Sequence, residues 1–248
     1  MNAAHWIERF EQNRNHSRWD EPMWGQLRCE LNDAARLLLI ESLATFQLGE
    51  SGGGTRLRRF VETHVSTRNN SSNYLKAIDL FIAEEQRHAK LLARAVHYLG
   101  GELKTKHWIN SIFRGVRSRV NAEFNIQVLL IAELIAEAYY GLLYQNVPDH
   151  PIRSLCGEIL RDEIQHVAFH RDFFREVHGG RLPITTAIWA LQFQAIFAAT
   201  EVVVWADHGK CLHEFGVTRR EFEGKARGCC RRFLLSLQSQ RNSMMDNN

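Results

Sequence analysis

Two segments of this chain carry a glutamate followed three residues later by a histidine inside otherwise apolar stretches: Glu85 and His88 in EEQRH, Glu163 and His166 in RDEIQH. At about 100° per residue, positions three apart lie one turn apart on one face of a helix. Each pair therefore projects two metal-ligating side chains from the face that should enter a core. One such pair alone is common on solvated helices. Two copies constrain the fold strongly, because two acids and two imidazoles brought into one interior need a compensating charge there.

The rest of the chain reads as helical. Only four prolines interrupt 248 residues rich in Leu, Ala, Glu, Gln and Arg, and no alternating run bounded by turn residues marks a strand. Long helices are expected at about 22–50, 74–99, 120–146 and 152–177, with a short basic helix at 55–65. SGGG at 51–54 ends the first, and TRNNSSN at 67–73 reads as a loop whose last Ser or Asn caps the second. Two more helices are expected at about 184–208 and 219–238. AIWALQFQAIFAATEVVVWA, residues 187–206, is apolar over much of its circumference, which predicts a helix buried against the others. Gln192, Gln194 and Glu201 within it argue against a membrane span.

Each of the four long helices has an apolar stripe broken by a carboxylate: Glu41 among Ala34, Leu37, Leu38 and Leu48, then Glu85, Glu133 and Glu163. Four buried carboxylates without a counter-charge would take up protons or open the bundle. Two divalent cations balance them, and neutral imidazoles from His88 and His166 complete the coordination without changing that balance. The intervals between the four acids each allow a helix, a turn and a return, so all four can lie at one height in a bundle.

With these motifs the sequence resembles the ferritin-like non-haem di-iron carboxylate superfamily, which includes ribonucleotide reductase small subunits, bacterial multicomponent monooxygenases, acyl-carrier-protein desaturases and arylamine N-oxygenases. The likeness covers about 28–177 and does not select a member. It implies an all-α ferritin-like four-helix bundle with additional C-terminal helices: one domain over 1–248, a metal-binding core at 28–177 and accessory helices at 184–238. It also implies that Glu41, Glu85, His88, Glu133, Glu163 and His166 hold two iron ions, or a manganese and an iron, with Glu85 and Glu163 bridging. In several family members an acid preceding the motif glutamate accepts the ring N–H of the opposite helix's histidine. On that pattern Asp162 orients His88 and Glu84 orients His166.

Two positions depart from the family pattern. Monooxygenase relatives often place a threonine one turn after the helix-three glutamate, where this chain has Glu137. Glu137 is then an additional ligand or a catalytic group near the oxygen-binding face, or it replaces Glu133; the interval to Glu163 favours Glu133. His170 has a counterpart in arylamine N-oxygenases only on the other side of the motif glutamate, so it is expected beside the ligands or in a pocket wall, with a seventh-ligand role the alternative.

The resemblance implies a dioxygen-dependent enzyme that hydroxylates, desaturates or N-oxygenates a small or carrier-protein-bound organic substrate, with electrons from a separate protein. Iron storage without an organic substrate, or hydroxylation of tRNA, are the competing expectations. Formal net charge is only +3, so nucleic-acid binding is not implied by the total. The local runs Arg56, Arg58, Arg59 and Arg114, Arg117, Arg119, with the basic tail from Arg219, read as helix surface or as a dock for an acidic partner. The first residues lack an apolar signal core and the five cysteines have no metal-type spacing, which together suggest reduced thiols in a cytoplasm. No membrane partner is expected, and a homodimer is compatible with this reading.

Overall fold

The computed structural model describes residues 2–14, 24, 27–52, 54–65, 71–106, 122–179 and 182–245. These form eight helices and no strand among the described residues: α1 (Ala3–Arg14), α2 (Asp33–Glu50), α3 (Thr55–Val65), α4 (Ser71–Tyr98), α5 (Ala122–Asn146), α6 (His150–His178), α7 (Pro183–Glu214) and α8 (Arg219–Met245). The chain is all-α.

Boundaries follow local chemistry. Asn32 caps α2 by accepting from Ala35 N at 2.9 Å, so α2 begins about ten residues later than the apolar pattern suggested. Asp149 caps α6 through Ile152 N at 3.1 Å, with Pro151 in the first turn. The expected starts near 22 and 120 lie outside the described residues, as do 67–70 of the expected loop; Ser71 already opens α4. Arg114, Arg117, Arg119 and the side chain of Arg56 also lie outside them.

Four helices, α2, α4, α5 and α6, surround a common interior, and their directions follow from paired contacts. Arg36 near the start of α2 donates to Leu99 O past the end of α4 at 3.0 Å, while Gly54, just beyond α2, abuts Ile82 in α4. Ser42 meets Tyr139 while Glu50 and Glu133 line one cavity, so α2 also runs against α5. Helix α6 runs against α4 through Glu84–His166 and His88–Asp162, and against α5 through Glu123–His178 and Tyr144 on Gly157. Helices α4 and α5 therefore point the same way, and the end of one and the start of the other lie at opposite ends of the bundle.

Four further helices frame this core, α3 resting on α4 and α5. Helix α1 lies on α4, α7 rests on α2 and α5, and α8 packs on α5, α6 and α7. Trp6 and Phe10 of α1 are 4% and 2% exposed, with Phe10 against Phe81 and Phe169. The basic tail is partly consumed internally: Arg227 pairs with Glu201 and Glu223, Arg219 with Glu223, and Arg232 with Glu137.

The expectation that α7 is mostly buried is corrected. Its most apolar stretch is only 33% buried, against 89% for the comparable stretch of α5. One side, with Trp189, Phe193, Phe197, Val204 and Leu212, enters the molecule, and the other, with Ile184, Ile188, Leu191 and Val202, is exposed. A helix apolar on every side shows no preferred face in its sequence, so the number of faces that find a neighbour is set by the rest of the fold.

Candidate metal centre

Helices α4 and α6 bring the two Glu-x-x-His pairs together. One ligand atom from each of Glu85, His88, Glu163 and His166 lies within 4.8 Å of all the others. His88, Glu163 and His166 are fully buried. The His166 ring sits with Nδ1 3.0 Å from Glu85, 3.4 Å from Glu133 and 3.6 Å from Glu163. On the other side His88 Nδ1 lies 3.4 Å from Glu163 and 4.0 Å from Glu85. Both rings thus aim Nδ1 inward at the carboxylates.

Their outward nitrogens are held as the sequence suggested. His88 Nε2 donates to Asp162 Oδ2 at 3.0 Å, and His166 Nε2 donates to Glu84 Oε2 at 2.9 Å. Such partners set the ring's tautomer and orientation. Arg87 joins the two halves: it contacts Asp162 and Glu84 and bonds Glu158 Oε1 at 2.5 Å. Three buried acids on this flank therefore share one guanidinium, which lowers the cost of burying them. Asn13 of α1 reaches Asp162 Oδ1 at 3.5 Å and Gln165 at 3.3 Å.

The α2 acid at the site is not the expected one. Glu41 is exposed and pairs with Lys104 at 2.7 Å, on the outside of the bundle. Glu50, the last residue of α2, instead lies beside Glu85 and lines a cavity with Glu85 and Glu133. Residues nine apart on a helix differ by about half a turn in direction, so Glu41 and Glu50 cannot both face inward. The inward stripe is Ala35, Leu39, Ser42, Leu43 and then Glu50, whereas Leu37 of the supposed stripe is 59% exposed. The glycines after Glu50 let the chain turn tightly here: Gly54 has φ 60°, and a Cβ on it would lie 2.5 Å from Ile82 carbons.

Glu133 belongs to the cluster, buried at 2% exposure, and Glu137 does not. One turn beyond Glu133, Glu137 bonds Arg232 of α8 at 2.7 Å, which overturns its placement as an added ligand or catalytic group near the oxygen-binding face. His170 is buried beside the ligands and outside the four-residue group. Its ring stands edge-on to Phe81 at 5.3 Å, and Nε2 makes no hydrogen bond. Tyr140 is wholly buried with its phenol unbonded and Tyr144 is half exposed, and neither lines the cavity described below.

The buried acids and imidazoles shift one another's proton affinities. Burial alone would depress His88, but Asp162 and Glu163 raise it to about 10. His166 is raised in the same way, its burial outweighed by Glu133, Glu163, Glu84 and Glu85. Burial and the adjacent Glu133 raise Glu163, and burial with Glu85 raises Glu50. Glu133 is lowered, since the Glu163 carboxyl and the His166 ring outweigh its burial. Burial takes His170 down to about 4.

The donor set fits divalent metal. Glu85 Oε1, His88 Nδ1, Glu133 Oε1 and both Glu163 carboxylate oxygens are buried without a hydrogen bond. Buried polar atoms of native proteins are rarely left so, and here they converge. Imidazole nitrogen with carboxylate oxygen suits first-row transition metals.

A cavity of about 190 Å³ meets the cluster at Glu50, Glu85 and Glu133. Phe46, Val128, Leu129, Ala132, Ile135, Ala136 and Val204 make most of its wall, so α2, α5 and α7 all contribute. Its other polar side chains are already engaged: Thr45 with Glu41 O, Thr200 with Ile196 O, and His208 with Ser42 at 2.7 Å. On the far side of the cluster Phe10 and Phe81 close over His166, with ring centroids at 6.1 and 4.7 Å. The sequence signal for α1 was Trp6, Phe10 and Asn13 at helical spacing. Searches with this chain match no protein-family model, no curated protein and no solved structure.

Proposed function

We propose that this chain is a ferritin-like di-iron protein, or a manganese–iron one, that uses dioxygen to oxidise a small organic substrate. The observation that carries this reading is the pair of opposed Glu-x-x-His motifs whose buried, unbonded ligand atoms face one another at the end of an apolar cavity. The topology supports it: two antiparallel pairs whose second and third helices run parallel need one long crossover, as in ferritin-like bundles. Glu50, Glu85, Glu133 and Glu163 would hold the metals with His88 and His166, and four carboxylates against two divalent cations leave no net charge to bury.

Bound there, the metals supply electrons and Lewis acidity for reaction with dioxygen. The chain's own residues do the rest. Asp162 and Glu84 fix the imidazole rings, and Arg87 keeps both acids in place. Phe10, Phe81 and Phe169 exclude water from one side. The cavity receives the substrate on the other, and its walls select an uncharged, largely apolar group, because every polar wall residue other than the three glutamates is already bonded within the protein. About 190 Å³ is room for roughly one ring and a short substituent, given that an engineered cavity of about 150 Å³ binds benzene. A bulkier or carrier-bound substrate would insert only its end. Electrons come from a separate donor protein.

Anaerobic loading with ferrous iron, metal analysis and optical spectra before and after oxygen test the assignment. Two metals per chain in the wild type and loss of metal in Glu163→Ala are expected. Unchanged metal content in Glu163→Ala overturns the site, whereas metal loading with oxygen uptake but no oxidation of any apolar substrate tested identifies iron storage instead.

A further inference from the structure

Among the described residues, helix α7 carries more of the large exposed apolar side chains than any other helix. From Pro183 to Ala206 its only charged residue is Glu201, which is buried and paired with Arg227. Ile184, Ile188, Leu191 and Val202 are 63, 60, 71 and 54% exposed, and Ala195 and Ala198 between them are exposed too. These six positions are spaced alternately four and three residues apart, the repeat of a helix seam that packs against a second helix. The described helices that α7 touches, α2, α5 and α8, lie on its other side, so among the described residues no helix covers the seam.

We propose that two copies of this chain dimerise through this seam, with their α7 helices antiparallel about a two-fold axis near Phe193. The order of side chains selects that arrangement. The N-terminal half of the seam is large, with Ile184, Ile188 and Leu191, and the C-terminal half is small, with Ala195, Ala198 and Val202. Antiparallel pairing sets Ile184 against Val202, Ile188 against Ala198 and Leu191 against Ala195 of the second copy, so every layer matches a larger residue with a smaller one at similar spacing. Parallel pairing would stack large on large at one end and small on small at the other, which leaves a wedge.

The seam is about 27 Å long. With a width of about 10 Å its footprint is roughly 270 Å² on each copy, the size of a small interface, so the dimer is expected to be weak and concentration-dependent. Lipid is the other apolar partner available to such a face. A helix lying on a membrane carries Lys and Arg along its rim; the rim here is Thr185, Gln192 and Gln194, neutral groups suited to hydrogen bonding across a protein interface. Dimerisation has a consequence for the cavity, because Thr200, Val204 and His208 of the same helix line it. Its outer wall is then braced by the second copy.

Sedimentation of the full chain at about 1 to 100 µM tests this without reference to metal, so its outcome is separate from that of the metal assignment. A monomer–dimer equilibrium is expected. Leu191→Glu should weaken it at least about 100-fold, since two carboxylates would enter an apolar seam. Leu235→Glu, at a 58% exposed position on α8, should leave it intact. Mixing Ile184→Cys with Val202→Cys chains under mild oxidation should give a cross-linked dimer that neither gives alone. A monomer at the highest concentration, a dimer that survives Leu191→Glu, or cross-linking of each single variant with itself overturns the proposal. Flotation of a monomeric wild type with neutral or anionic phospholipid vesicles, abolished by Leu191→Glu, would assign the face to lipid instead.

Discussion

At the scale of single residues, the contrast between Glu41 and Glu50 decides how the centre is assembled. Glu41 pairs with Lys104 at the surface, a contact of the kind worth about 0–1 kcal/mol. Glu41→Gln should therefore keep full metal content and a melting temperature close to that of the wild type. Glu50→Gln removes one carboxylate from the cluster and should lower the affinity of at least one metal by about tenfold or more, read by titration with a competing chelator. Equal affinities for the two variants would return Glu41 to the site. Asp162→Asn is informative in a different way, because it leaves every ligand in place. The His88 ring loses its carboxylate acceptor and Arg87 one of three acid partners, so metal affinity should fall about 10- to 100-fold while the fold persists. Retention of wild-type affinity would show that Asp162 does not orient the ring. The two motif pairs and both orienting acids were legible because each lies at fixed spacing on a helix with one wet and one dry side. The α2 acid was misplaced because Leu37, Leu38, Leu39 and Ile40 run consecutively and no single stripe stands out. Only the inward Ser42, bonded to Tyr139 and His208, reveals the true phase, and that bond spans residues far apart in sequence.

Among the helices, α1 had no evident role in the sequence, yet it closes the centre. Trp6 donates from Nε1 to Asp172 at 3.1 Å, Phe10 covers His166, and Asn13 reaches Asp162, so its contacts fall on α6 within two turns of the ligands. Such contacts join segments more than 140 residues apart in sequence, and no local pattern could announce them. Phe10→Ala should cost about 3–5 kcal/mol of stability if the cavity stays empty. It should also make the centre accessible to water, so that chelator-driven metal loss becomes faster even where the variant remains folded at low temperature. An unchanged rate of metal release in a stable Phe10→Ala protein would mean that α1 serves only as packing. Both ends of α4 and α6 and the C-terminal end of α5 were found within a few residues, because polar capping groups and Gly or Pro bound them. In α7 the helix was legible and its environment was not, since apolarity on all sides is equally consistent with a core and with a face awaiting a partner.

For the molecule as a whole, the proposed metals would compete with protons for the same interior, and stability should report the exchange. In the metal-free protein His88 is raised to about 10 from an ordinary value near 6.5, so its contribution is complete below about pH 6.5 and is lost as pH rises through about 10. Glu163 is raised as well, and a buried carboxyl held in its protonated form becomes a growing cost as pH climbs above its unfolded value. Both groups thus destabilise the metal-free fold toward alkaline pH. His170, lowered to about 4, acts on the other flank: its neutral ring favours the fold above about 6.5, and this advantage disappears as pH falls through 4. Glu133, also lowered, loses its contribution in acid. The metal-free protein should therefore be most stable in weakly acidic solution. On the proposed assignment metal would replace the protons on Glu163, His88 and His166, so loading at pH 7 should release protons and bind more tightly as pH rises. The melting temperature of the loaded protein should accordingly exceed that of the metal-free protein by a margin that widens from pH 6 to 9, in line with the mass-action stabilisation by a bound ligand. Calorimetry across that range, with proton release followed in two buffers of different ionisation enthalpy, measures both halves of the exchange. A margin that narrows with pH, or loading without proton release, would mean that the carboxylates and imidazoles of α4 and α6 are not where the metal binds.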